Sequence, residues 1–142
     1  MGDIIKIIKQ GGDEVTEKVK QVINDWDNEA IEIVKLDIYS FTSLHYAAMY
    51  GHTEVCAILI ELGAQVNWQG LWGNTALHHA ALWGHVGACR LLTEKGAQVH
   101  IKNKDGQTAL DCATMMCKKD GKPSEFTQIM EMLSKLLDST LG

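Results

Sequence analysis

The sequence has no run of basic residues: its 13 Lys and Arg are scattered and are outnumbered by 18 Asp and Glu. A surface that tracks a phosphate backbone needs clustered cations, so nucleic acid is not an expected partner. No apolar stretch reaches the length of a bilayer span, and the N-terminus has neither the apolar core nor the small-residue cleavage site of a signal peptide. Met1-Gly2 opens like an acylation signal, but Lys6 stands where that signal needs Ser or Thr. The expectation is a cytoplasmic or nuclear protein with no membrane partner. The four cysteines contain no C-x-x-C pair, which excludes the usual spacing of a zinc framework and leaves reduced packing thiols. Spacing suggests no Ser-His-Asp or Cys-His arrangement, and no glycine-rich phosphate cradle follows a strand. Neither catalysis, nor a metal, nor a cofactor is expected.

What the chain does have is a repeat. TALHHAALWG, from Thr75 to Gly84, is matched 33 residues upstream by TSLHYAAMYG, from Thr42 to Gly51, and 33 residues downstream by TALDCATMM, from Thr108 to Met116. Gly51-His52 recurs as Gly84-His85, Leu62 to Asn67 (LGAQVN) as Lys95 to His100 (KGAQVH), and Gly73-Asn74-Thr75 as Gly106-Gln107-Thr108. A fixed period of this length marks a solenoid, in which no unit buries its own apolar face and each must stack on its neighbours. Cys56 and Cys89 share one slot of successive units, on the apolar face of a second helix.

Helical spacing places Ile4, Ile7 and Ile8 on one face of a first helix, broken by Gly11-Gly12. A second helix, from about Asp13 to Trp26, carries Val15, Val19, Val22 and Ile23, with Asp13 as its N-cap. The connection from Asp27 to Leu36 is about seven residues longer than its counterparts and reads as a loop insertion. In the second unit one helix starts after Thr42 and another runs from Thr53 to Leu62, with Val55, Ile58, Leu59 and Leu62 inward and Gly63 closing it in the left-handed region. The third unit repeats this near Ala76 to Leu82 and Val86 to Glu94, closed by Gly96. Gly73 and Gly106 sit at projecting turns that need positive φ; Ser40 holds the matching place in the second unit, which suggests a distorted first finger. In the fourth unit Lys118 to Ser124, KKDGKPS, contains the single proline and lengthens the turn before a last helix from about Ser124 to Leu137. That helix sets Phe126, Ile129, Met130, Leu133 and Leu137 against a charged face, as a terminal unit facing water requires. The expected organisation is one capped domain spanning residues 1–142, with units at about 1–36, 37–69, 70–102 and 103–138.

The T-x-L-H signature, the Gly-His turn and the 33-residue period together resemble the ankyrin-repeat family. The resemblance implies an all-α fold: stacked antiparallel helix pairs with projecting β-turn fingers. It also implies structural roles for His45 and His78, whose rings would bond the Thr hydroxyl and nearby backbone, and for His52 and His85 in the turn. In this family the finger residues and the two residues before the Gly-His turn line a groove that meets protein partners. Carried onto this chain, those positions are Ile38, Tyr39, Phe41, Met49 and Tyr50; then Leu71, Trp72, Asn74, Leu82 and Trp83; then Lys104, Asp105, Gln107, Met115 and Met116. Eleven of these fifteen are apolar or aromatic, and Trp68 stands close beside them.

A solvated face should not carry so much large apolar surface, so these positions read as a binding site, with Leu82 and Met49 equally open to a core role. The expected function is a non-catalytic interaction module, an adaptor or scaffold that is monomeric when free and binds a hydrophobic segment or domain face of another protein. Two alternatives come from other classes. The chain could be the N-terminal regulatory domain of a larger signalling enzyme acting in cis, or its rings could form a cage for methylated lysine. Asn67 matches the position at which the family is hydroxylated.

Overall fold

A computed structural model describes residues 4–24, 42–120 and 123–141. The expected loop insertion between Asp27 and Leu36 and the first finger with Ser40 lie outside the described residues. Those residues form eight helices and no strand: α1 (Ile4–Gln10), α2 (Val15–Asn24), α3 (Ser43–Met49), α4 (Thr53–Glu61), α5 (Ala76–Leu82), α6 (Val86–Glu94), α7 (Ala109–Asp120) and α8 (Pro123–Leu141).

Each odd-numbered helix packs on the even-numbered helix that follows it, giving four pairs. The first members then stack in the order α1, α3, α5, α7, and the second members in the order α2, α4, α6, α8. Two layers of helices therefore share one apolar seam, as the resemblance implies. Small residues make the layers close: Ala47, Ala48, Ala80, Ala81 and Ala113 are fully buried where α3, α5 and α7 meet. Larger side chains fill the seam between layers, among them Leu44, Val55, Leu59, Leu77, Leu92, Ile129 and Leu133. The thiols of Cys56, Cys89 and Cys112 are buried there as well, and burial pushes Cys56 and Cys89 up to about 12 and Cys112 up to about 11. At that pKa a thiol stays protonated and inert near neutrality, which is how a packing residue behaves.

Several boundaries differ from the sequence reading. Ile5 is buried with Ile4 and Ile8 while Ile7 is half-buried, so the inward face of α1 is rotated toward position 5. Helix α2 begins at Val15, whose N–H donates to the Gly12 carbonyl at 3.4 Å, and Asp13 does not directly precede it. The polar stretch at Lys118 does not lengthen a turn. Helix α7 continues through Lys118 and Lys119 to Asp120, where two cations suit the negative end of the helix dipole. Pro123 then opens α8, the position at which a missing N–H costs nothing.

Candidate functional site

Two local devices fix the edge on which the expected site residues sit. The first is the cap of α3 and α5. Thr42 is extended (φ −90°, ψ 171°), its N–H donates to His45 Nδ1 at 3.1 Å, and the His45 N–H donates back to Thr42 Oγ1 at 3.4 Å. Thr75 and His78 repeat this reciprocal pair at 3.1 and 3.3 Å. Because Nδ1 accepts, the proton of each neutral ring is on Nε2, and that N–H reaches the next repeat. His45 Nε2 donates to the carbonyls of Trp68 (3.0 Å) and Asn74 (3.1 Å), and His78 Nε2 to the carbonyl of Gln107 (2.9 Å). Each of these histidines thus starts its own helix and holds the following finger. At the same place in α7, Asp111 keeps the cap, with Thr108 N–H donating to Oδ2 at 2.9 Å. A carboxylate has no donor left for a further finger.

The second device is the finger itself. Gly73 N–H donates to Gly70 O at 2.9 Å and Gly70 N–H to Asn74 O at 3.0 Å; Gly106 and Asn103 make the same ring with Gln107. Gly73 and Gly106 have φ of 78° and 75°, the positive values expected for these turns. Neighbouring fingers are tied together. Lys104 N–H donates to Trp72 O at 3.0 Å, Asn103 Nδ2 to Asn74 Oδ1 at 2.9 Å, and Gln69 Nε2 to Lys102 O at 3.1 Å. Asn67 ties the second repeat to the third, donating to Gly96 O at 3.3 Å and accepting from Gln98 N–H at 2.9 Å.

Of the expected site residues, Ile38, Tyr39 and Phe41 lie outside the described residues. Tyr50, Trp68, Leu71, Trp72, Trp83 and Met115 are exposed, from 37% for Trp68 to 56% for Trp83. Leu71 and Trp72 occupy the finger before α5, whereas Tyr50 and Trp83 are the C-caps of the adjacent helices α3 and α5. Lys104 and Asp105 are exposed on the next finger. Five of the expected residues are partly withdrawn. Met49 and Met116 are half-buried against the core, Leu82 is half-buried, and the amide of Asn74 is engaged by Asn103. Gln107 is half-buried, and its Nε2 approaches Met115 Sδ at 4.0 Å. The sequence reading passed over Gln69 and Asn103, which set the spacing of the fingers; their partners lie a repeat away, where a motif search does not look.

Besides His45 and His78, two further histidines bond backbone carbonyls. His85 Nε2 donates to Met49 O at 2.9 Å, and the His52 ring bonds the carbonyl of Ile8. His79 is buried edge-on to His45, with ring centroids 5.7 Å apart, and burial followed by its histidine neighbours pushes it down to about 3. Burial also holds His78 and His52 below the ordinary histidine value, each partly offset by its carbonyl bond. Among the described residues no group of three His, Cys, Asp or Glu side chains could hold a metal ion. Among them, too, no helix is long and apolar enough to cross a membrane.

No curated protein matches the chain. A family model described as ankyrin repeats (many copies) matches residues 44–93 and 83–137. These are the residues that form α3 to α8 with their capped helices and glycine fingers, and the chain belongs to the ankyrin-repeat family, whose members are generally protein-interaction modules and typically non-catalytic.

Proposed function

We propose that this chain is an adaptor or scaffold, a single domain of four repeats with boundaries near residues 36, 69 and 102, working in the cytoplasm or nucleus. Its aromatic edge takes an apolar segment or domain face of one protein partner. One observation carries this reading. All six large hydrophobic side chains found exposed among the described residues, Tyr50, Trp68, Leu71, Trp72, Trp83 and Met115, stand on or beside the fingers, at the C-caps of α3 and α5, or, for Met115, on α7 with Sδ 4.0 Å from the finger residue Gln107.

Among the described residues the remaining large apolar side chains are buried or half-buried, which favours a segregated patch over scattered exposure. A large aromatic covers roughly 150–250 Å² when buried, and three half-exposed ones with their neighbours reach the few hundred Å² at which contiguous apolar surface marks a binding face. Tryptophan and tyrosine are also the residues on which binding energy concentrates.

The test is capture from cell lysate on the wild-type chain and on the Trp72→Ala/Trp83→Ala double variant. Both indoles are half or more exposed and outside the core, so the variant should stay folded, which its helical signal and melting check. A small set of proteins retained by wild type and lost from the variant supports the reading. Identical sets on both would place the binding surface elsewhere.

A further inference from the structure

The apolar edge is flanked on one side by cations. Lys102 and Lys104 are both exposed, on the finger that follows Leu71 and Trp72. Their backbone is held against that edge: Lys104 N–H donates to Trp72 O at 3.0 Å, and Lys102 O accepts from Gln69 Nε2 at 3.1 Å. Gln69 is in turn the neighbour of exposed Trp68, so the two lysines border the indole-bearing strip rather than an unrelated surface.

Neither lysine has an ion-pair partner among the described residues. The pairs found there lie at α2, at the turn before it and on α4: Lys18 with Glu14, and Lys20 with both Glu17 and Glu54. The acids closest in sequence are Asp105 and Asp111. The Asp111 carboxylate accepts the Thr108 N–H at the start of α7, and the Asp105 backbone is held by Asn103 Oδ1 at 3.0 Å, with its carboxylate in solvent. The finger therefore carries two cations against one exposed anion. Helices α3 and α5 contain no Asp, Glu, Lys or Arg, so of these described elements only the finger can recognise charge. The chain as a whole is acidic, at −5, but screening confines charges to about 8 Å at physiological ionic strength, so the local balance decides.

We propose that the partner segment is acidic as well as apolar: a peptide whose aliphatic or aromatic anchors lie on the exposed indoles while a flanking carboxylate meets Lys102 and Lys104. This rests on the binding-surface reading and adds the chemistry of the occupant to it. The apolar anchors supply most of the affinity. The carboxylate sets the direction in which the segment lies and speeds its encounter.

The test is selection of a random peptide library displayed on phage against the wild-type chain. Selected peptides are then measured by titration on wild type, on Lys102→Glu/Lys104→Glu and on Trp72→Ala/Trp83→Ala, each checked for its helical signal and melting. The expected result is a set enriched in Asp or Glu beside Leu, Ile or an aromatic. Such peptides should lose about tenfold in affinity on the charge-reversed variant, bind more weakly as salt is raised, and lose binding on the tryptophan variant. Peptides without acids, or with affinity unchanged by charge reversal, overturn the acidic partner; if they still depend on the two tryptophans, the surface itself stands. Peptides indifferent to both variants overturn both readings. A library that yields no binder, or a chain that pairs with its own copy in light scattering, overturns the acidic segment as occupant.

Discussion

The imidazole of His85 lies directly over Gly51: a Cβ added at position 51 would stand 2.6 Å from its Nδ1. The approach is held by the bond from His85 Nε2 to Met49 O, so the ring of one repeat is clamped to the turn of the one before. Gly84 is covered in the same manner, but by Phe126 at 3.1 Å, so the last pair fills with an apolar ring the place where the third repeat uses a histidine.

Gly51 is therefore constrained twice, by its φ of 74° and by the ring above it. Gly63 has a φ of 101° but open space around its missing Cβ. Gly63→Ala should cost only the left-handed penalty, about 1 kcal/mol, whereas Gly51→Ala should cost about 2–4 kcal/mol because His85 must also leave its carbonyl. Urea unfolding of the two variants makes the comparison. Equal losses would mean that the His85 contact contributes nothing to the seam.

Acid should weaken the fold through its buried neutral histidines. In the folded chain His79 is pushed down to about 3, while in the unfolded chain it titrates near its ordinary value of about 6.5. A depressed folded value means that the unfolded chain binds the extra proton. The stability contributed by neutral His79 is thus fully present above about pH 6.5 and is lost progressively as pH falls toward 3. From about pH 7.5 to about 5.5 the loss should be about 1.4 kcal/mol for this one residue, with His78 acting in the same direction. His79→Leu should flatten the slope of unfolding free energy against pH over that interval. An unchanged slope would assign the effect to other groups.

Ser43 offers a gain. Its hydroxyl is buried at the first turn of α3 and has no hydrogen-bond partner among the described residues. Ala76 and Ala109 fill the equivalent places of α5 and α7. Ser43→Ala removes a desolvated hydroxyl and improves helix propensity, so the midpoint in urea should rise by the equivalent of about 0.5–1.5 kcal/mol. A lower midpoint would show that the hydroxyl is satisfied in solution.

The sequence carried the periodic part of this architecture and little of what crosses from one period to the next. Thr42 and Thr75 as caps, Gly73 and Gly106 as positive-φ turns, and Gly63 and Gly96 as helix ends are all local signals, set by residues within a few positions of each other. The bonds from Asn103 to Asn74, from Asn67 to Gly96 and Gln98, and from His85 to Met49 join residues 29 to 36 apart, and composition gives no hint of them. The extension of α7 to Asp120 was hidden for the opposite reason. Lys118 and Lys119 read equally as loop and as the last turn of a helix, and packing of α7 on α8 selects the helix. At the candidate site the slots came from the repeat, but only solvent exposure separates Trp83 from half-buried Leu82 beside it.

Phe126 decides how firmly the last repeat is held. It is buried to 6% exposure, it belongs to α8, and its ring covers Gly84 at the turn between α5 and α6. Truncation leaves a void under that turn that the rigid backbone of Gly84 cannot close, so Phe126→Ala should cost about 3–5 kcal/mol. Solenoid stability is a sum of repeat terms and nearest-neighbour interfaces, so the loss should fall first on the terminal pair. In hydrogen exchange, amides of α7 and α8 should lose protection well before those of α3 and α4. Uniform loss along the stack would mean that the four pairs unfold as one cooperative unit, and that the apolar edge at Trp72 and Trp83 depends on the terminal helix for its order.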